Sequence, residues 1–335
     1  MSATFTREVL ADGPGDVAKI ADYVETAMTR LVGRELKRRG IVVGVSGGID
    51  SSVCAALATR ALGPERVFAL LMPEADSDPD STARGRELCE QLGLSYELED
   101  IAPALEALGC YRRRDAAIRR VFPEYGAGWR QKITLAEGLL DTDRVSYFNL
   151  TVASPDGALQ TARMPTDAYL EVVAATNMKQ RTRKLMEYFH AEARNYAVLG
   201  TPNRLEYELG FFVRGGDGLA DLKPIAHLYK TQVYALAEHL ELPESIRSQP
   251  PSTDTYSLPQ TQEEFYFALP YDRMDLMLWA WHHDVPPAEA ATVMELEPEQ
   301  VERVYRDIVA KRRMAERLAR DAAKVEEISL APKMS

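Results

Sequence analysis

The stretch Ile41–Ser52, IVVGVSGGIDSS, decides how the rest of the chain is read. From Ile41 to Val45 it is apolar and mostly β-branched, the pattern of a strand buried on both faces. A turn, Ser46-Gly47-Gly48-Ile49-Asp50-Ser51-Ser52, follows. Beyond it Val53, Ala56, Leu57 and Leu62 recur at helical spacing, so the order is strand, glycine-rich turn, helix. Gly47 and Gly48 remove Cβ atoms that would keep an anionic oxygen away from the backbone. Free N–H groups at the head of the helix point into the same turn, and the helix dipole adds partial positive charge there. Ser46, Ser51 and Ser52 supply hydroxyl donors. Asp50 is the odd member, because a carboxylate repels a phosphate unless a cation lies between them. It therefore reads as a ligand for Mg²⁺, an ion that prefers oxygen. No lysine follows the last glycine, so this is not a Walker A loop.

Upstream, Val17, Ile20, Ala21, Val24, Met28 and Leu31 step by three and four, which predicts an amphipathic helix from Asp16 to Arg38, capped by Asp16 and ended by Gly40. Downstream, Val67–Met72 reads as a second buried strand and Ser95–Glu99 as a third. A helix capped by Ser81 or Thr82 and closed at Gly93 lies between them. Tyr196–Gly200 predicts another strand. Strands alternating with helices imply an α/β fold with a doubly wound, mostly parallel sheet, whose ligands sit at the carboxyl ends of the strands near the switch in strand order. After Ala102–Gly109, a short helix, the pattern lapses. Tyr111–Val121 holds five arginines, which read as a solvated helix face. Ser154-Pro155-Asp156-Gly157 is turn chemistry between two β-like runs and predicts a hairpin. Thr166–Thr176, Asn177–Asn195 and His227–Leu240 read as helices. Pro250–Thr261 reads as a loop lining a site, and Tyr271–Trp281 and Pro298–Leu318 as helices of a helical C-terminal part.

The chain has 335 residues, 46% apolar and 27% charged, enough for a large core. A net charge of −11 argues against a general binder of nucleic acid or membrane surfaces. Cys54, Cys89 and Cys110 form neither a CxxC pair nor a zinc spacing, and are expected as free thiols in a reducing compartment. The opening MSATFTREVL lacks the pattern of a signal peptide, and no apolar run reaches the length of a membrane span, so the cytoplasm is the expected location.

The SGGIDSS turn resembles the SGGxDS loop of the ATP pyrophosphatase group, which grips nucleotide phosphates while a carboxylate is adenylated. Four further stretches extend the likeness: NMKQRTR over 177–183, GTPNRLEYELG over 200–210, GDGLADLKPIAHLYK over 216–230, and PPSTD over 250–254 with Gln260 soon after. Together these resemble the ammonia-dependent NAD synthetase family. The resemblance implies an adenine nucleotide alpha hydrolase-like fold over residues 1–270, with an insertion at about 110–166 and a helical extension over 271–335. It implies ATP and Mg²⁺ as cofactors, deamido-NAD and ammonia as the other substrates, and a homodimer holding substrate across its interface. Carried over by position, Ser46, Gly47, Gly48, Asp50, Ser51, Met72, Thr201, Lys230 and Ser252 would hold ATP. Asp50 and Glu206 would hold the metal, Lys230 and Asp50 would serve catalysis, and Asn177, Arg181, Asp217 and Asp221 would hold the acid.

Three departures from the family pattern stand out. Arg214-Gly215 precedes the Gly-Asp-Gly turn in place of a lysine and a bulky residue. Gln262 stands where an acid is usual, and the insertion is long. All three read as lying on the acid side, which keeps open an amide ligase for a different carboxylic acid. A tRNA-modifying enzyme with a related loop is disfavoured by the acidic charge and unpaired cysteines. A non-enzymatic binding module would leave ATP turnover indifferent to Asp50.

Overall fold

Ile41, Val42 and Val43 have no exposed surface, and they form the strand around which the computed structural model of this chain is laid out. The structure describes residues 5–11, 14–135, 140, 147–250, 255–267, 269–326 and 328. Four parallel strands make the main sheet: β1 (Ile41–Gly44), β2 (Val67–Leu71), β3 (Ser95–Leu98) and, much later in the chain, the strand Ala197–Leu199. The spatial order runs third, second, first, last. Ile41 pairs with Val67 on one side and with Ala197 on the other. The chain thus winds outward from β1 to β3 and returns to the opposite edge of β1. That reversal puts the switch point directly beyond Gly44, where the glycine-rich turn begins.

Alternate residues of β1 feed different cores. Ile41 and Val43 pack on one face with α1 (Pro14–Arg30), α2 (Ile49–Leu62) and α3 (Pro79–Leu92). Val42 packs on the other with Leu105 of α4 (Ala102–Ala107), Cys110 and Tyr111 of α5 (Cys110–Arg119), and Ala191. Helices on both faces explain why the strand sequence is apolar without alternation.

Several boundaries differ from the sequence reading. α1 passes at Leu31–Glu35 into a π-helical turn and ends there, short of Arg38. Asp16 lies within its first turn rather than at its cap. Gly40 is not a helix stop: a Cβ there would lie 2.3 Å from the Arg66 carbonyl oxygen, so the close approach of that turn requires glycine. Asp78, not Ser81 or Thr82, caps α3, accepting the N–H of Asp80 at 3.1 Å.

The arginine-rich stretch folds as α5. A second sheet follows, with β4 (Arg130–Leu135), β5 (Phe148–Ala153) and β6 (Leu159–Arg163) antiparallel in that order. β5 and β6 are the expected hairpin around residues 154–157. Ile133, Leu150 and Val152 pack with Ile118 of α5 and with Val172, which lies on α6 (Thr166–Arg194), a separate core from that of the main sheet. α6 is one unbroken helix of 29 residues, where the sequence suggested two. It leads into β7 (Ala197–Leu199) and α7 (Arg204–Leu209), then α8 (Lys230–His239), α9 (Glu244–Arg247) and α10 (Gln262–Phe265). Leu205 and Leu209 of α7 share a fourth core with α11 (Tyr271–His282), α12 (Pro287–Met294) and α13 (Pro298–Ala319). No helix among the described residues is long and apolar enough to cross a membrane.

Candidate active site

The turn after β1 is held by its own serines. Ser51 Oγ accepts the N–H of Ser46 at 3.2 Å and donates to the Gly48 carbonyl at 3.0 Å. Ser52 Oγ donates to the same carbonyl at 2.8 Å. Gly47 adopts φ +77°, a left-handed conformation, and a Cβ on it would lie 2.3 Å from the Ser81 carbonyl oxygen. Glycine is therefore required here by the head of α3 as well as by the openness of the turn. Arg84 of α3 reaches back, donating from Nη2 to Ser81 Oγ at 2.9 Å.

Asp50 sits in the first turn of α2 and points across the switch point. Its Oδ1 accepts from Asn203 Nδ2 at 3.0 Å, and its Oδ2 pairs with Lys230 Nζ. Asn203 caps α7, accepting the N–H of Glu206 at 3.2 Å, while Glu206 Oε2 accepts the N–H of Asn203 at 3.1 Å. This capping box fixes Glu206 on the cavity wall opposite Asp50. Gln262 Nε2 donates to Glu206 Oε1 at 3.0 Å. Desolvation, aided by the negative charge of Asp50, pushes the Glu206 carboxyl up to about 8. Lys230 is 2% exposed; burial acts to lower its pKa, yet Asp50 and Glu206 outweigh that and hold it above the ordinary lysine range. Two acids facing each other across a gap, one of them resisting ionisation, are what a divalent cation would relieve. The donors are all oxygen, which suits a hard ion such as Mg²⁺.

These groups line one cavity of about 1060 Å³. Of the residues expected from the sequence, Ser46, Gly47, Gly48, Asp50, Ser51, Met72, Thr201, Glu206, Asp217 and Lys230 face it. Asp217 lies on its wall, accepting the N–H of Val213 at 2.6 Å, and burial raises its pKa. Asn177, Arg181 and Asp221 do not line the cavity. Arg181 donates to the Arg214 carbonyl at 3.2 Å, and Asp221 accepts the N–H of Val198 at 2.8 Å, pinning β7. Ser252 lies outside the described residues. The flanking 256–262 segment does line the cavity, as the site-lining reading of that loop expects.

Sequence reasoning missed several contributors. Asn203 carries a visible signal, since Asn-x-x-Glu is a capping-box spacing, but nothing in it marks the bond to Asp50. Arg183 donates to the Met72 carbonyl at 3.2 Å and faces the cavity. Gln262, read from the sequence as a departure on the acid side, bonds Glu206, a candidate metal ligand. Lys184 and Glu187, a buried ion pair on α6, also line the wall. A second group of ligand-type side chains, Glu97, Glu99 and His190, is not among the residues lining this cavity. There His190 Nε2 lies 2.9 Å from Glu99 Oε1, and Arg194 Nη1 lies 3.1 Å from His190 Nδ1.

A model of the family described as NAD synthase matches residues 19–122 and 121–315. The NH(3)-dependent NAD(+) synthetase of Rhizobium rhizogenes is 56% identical over 298 residues, spanning 89% of this chain and 90% of that one. Its counterpart from Thermotoga maritima is 37% identical over 271 residues, spanning 81% and 88%. Solved structures share the fold. NMN synthetase from Francisella tularensis aligns with a TM-score of 0.60 at 22% identity, over 96% of this chain and 100% of that one. The NH3-dependent NAD synthetase from Campylobacter jejuni gives 0.59 at 22%, over 93% and 100%. The family model spans most of the chain and the Rhizobium relative is more than half identical over nine-tenths of its length, so the chain belongs to the NAD synthase family.

Proposed function

We propose that this chain is an ammonia-dependent ligase that converts deamido-NAD to NAD, consuming ATP and releasing AMP and pyrophosphate. The observation that carries this reading is the convergence of Asp50, Glu206 and Lys230 at the mouth of the Ser46–Ser51 turn. In the reaction an oxygen of the nicotinate carboxylate attacks the α-phosphorus. The bond from that phosphorus to its bridging oxygen breaks, and pyrophosphate leaves with the electron pair. Ammonia then attacks the acyl carbon, loses a proton, and AMP departs with the electrons of the acyl C–O bond.

In this reading the turn supplies N–H and hydroxyl groups for the phosphates, and Lys230, fixed in its charged form, balances charge that builds on the leaving pyrophosphate. Asp50 and Glu206 would hold Mg²⁺. When bound, that ion supplies further neutralisation of the triphosphate. Asp217, on the cavity wall, we assign to the acid.

Asn177 and Arg181 have a different part. They fall on one stripe of α6 with Leu170, Leu185 and Phe189, which are 59%, 68% and 59% exposed. Apolar side chains so exposed beside polar ones suit an interface. We take this stripe as the contact between two copies, with acid-binding groups presented across it. Asp221, committed to β7, we assign to shaping that edge. The three cysteines are free and buried, in keeping with a cytoplasmic enzyme.

The test uses deamido-NAD labelled with ¹⁸O in its carboxylate, with ATP, Mg²⁺ and ammonium. Amide formation with one label recovered in AMP supports the reading. Label in pyrophosphate, or no NAD formed, contradicts it.

A further inference from the structure

Asp275 lies 45 residues beyond Lys230, on α11, yet it is fully buried against the head of α8. Its Oδ1 accepts the backbone N–H of Lys230 at 3.2 Å, and its Oδ2 accepts the N–H of Thr231 at 2.7 Å. These are the first two residues of α8, whose N–H groups have no partner inside the helix. A carboxylate from a distant element satisfies both, and its charge lies on the positive end of the helix dipole. Its neighbours Met274, Met277 and Leu278 are wholly buried and apolar. A carboxylate in such surroundings is costly unless its hydrogen bonds are made. Burial pushes it up to about 7, with the two N–H donors opposing.

The position matters because of what α8 carries. Lys230 is the first residue of that helix, and its Nζ must reach Asp50 at the head of α2. A lysine stem is flexible, so where its ammonium can go is limited by where its backbone is held. Asp275 grips that backbone at the N–H of Lys230 itself.

We propose that Asp275 is a positioning residue for adenylation: from the C-terminal helices it holds the head of α8 so that Lys230 meets the nucleotide phosphates beside Asp50. This inference rests on reading the cavity as the adenylation site.

The test is a double-mutant cycle on the full-length protein with Asp275→Ala, Lys230→Met and the pair, together with Asp275→Asn. Each variant is first checked by thermal melting. Two readouts are taken: steady-state turnover of deamido-NAD, and the affinity for ATP with Mg²⁺ by calorimetry. Asp275→Ala is expected to lower kcat by about tenfold or more and to weaken ATP, leaving KM for deamido-NAD within about twofold. Asp275→Asn keeps one acceptor oxygen and should fall between. In the Lys230→Met background, removing Asp275 should cost less than about twofold more. Losses that multiply in the pair would overturn the proposal, because Asp275 would then act other than through Lys230. So would wild-type kcat and ATP affinity in Asp275→Ala. If Asp275→Ala does not fold, the cycle runs with Asp275→Asn in its place. Should the wild-type chain make no NAD, the functional reading fails, and the ATP affinities of the same four proteins still decide this inference.

Discussion

Two neighbouring sets of groups are built on different principles. The wall that carries the serine–glycine turn takes its shape from two short stretches, the turn after β1 and the cap after β7, each closed by its own side chains, and Lys230 of α8 joins them through Asp50. Beside it, buried ion pairs tie α5 and α6 to the loop after β2. Lys179, 1% exposed, contacts Glu74 at 3.0 Å, Asp76 at 2.6 Å and the Thr255 carbonyl at 2.9 Å. Arg114, the one arginine of its stretch that is buried, pairs with Asp76 and Asp115. Tyr111 donates to Glu74 at 2.9 Å. The first set of groups faces the cavity, so changes there should strike chemistry. The second, of which Asp76 lines the cavity, ties helices to the sheet, so changes there should strike stability and assembly.

The largest effect expected is on turnover. Asp50→Ala, which removes a metal ligand and the partner of Lys230, should lower kcat by roughly a thousandfold, and Lys230→Met by a hundredfold or more. Steady-state assays check both, and a loss of less than about tenfold in either would break the contrast. In the second set, Lys179→Met removes the buried cation that faces Glu74, leaving the Tyr111 hydroxyl as its donor, while Asp76 keeps Arg114. It should destabilise the fold by about 3 kcal/mol in urea titration while leaving the ATP affinity of the folded fraction near wild type. A Leu185→Glu, Phe189→Glu double variant should sediment as a monomer and raise KM for the acid by roughly tenfold, with ATP affinity unchanged. A variant that remains dimeric would place the interface elsewhere.

The smallest effect separates the two sets by pH. Burial, with the charge of Asp50, pushes Glu206 in the fold up to about 8 from the ordinary 4.5 of the unfolded chain. Between those values the folded protein holds a proton that the unfolded chain has lost, so stability falls as pH rises. Without Mg²⁺ and ATP, wild type should therefore lose melting temperature relative to Glu206→Gln between about pH 5 and 8, and Mg²⁺ should reduce the difference. Parallel profiles would contradict the burial of that charge.

The same contrast governs what could be read from the sequence. β1, the SGGIDSS turn and α2 were legible because burial, backbone geometry and function all act on adjacent residues. Glu206 and Lys230 were legible only through family resemblance, since an acid in one helix and a lysine in another carry no local mark of facing each other. β4 was not foreseen because Gln131, wholly buried, occupies an inward position where an alternating pattern requires an apolar residue. α6 reads as two helical segments in the sequence, although no proline or glycine interrupts Thr166–Arg194 and the helix runs through. Asp275 has no signature at all, because its partners are backbone N–H groups 45 and 44 residues away. The bond of Gln262 to Glu206 was illegible for a similar reason: the two are 56 residues apart.

The most direct test of the central claim is a crystal structure of the protein with Mg²⁺ and α,β-methylene-ATP, whose α–β bond cannot be cleaved. The account predicts the triphosphate in the Ser46–Ser51 turn, a metal ion between the carboxylates of Asp50 and Glu206, and Lys230 Nζ against phosphate oxygen. A triphosphate bound away from that turn, or a metal ion that touches neither acid, would contradict it.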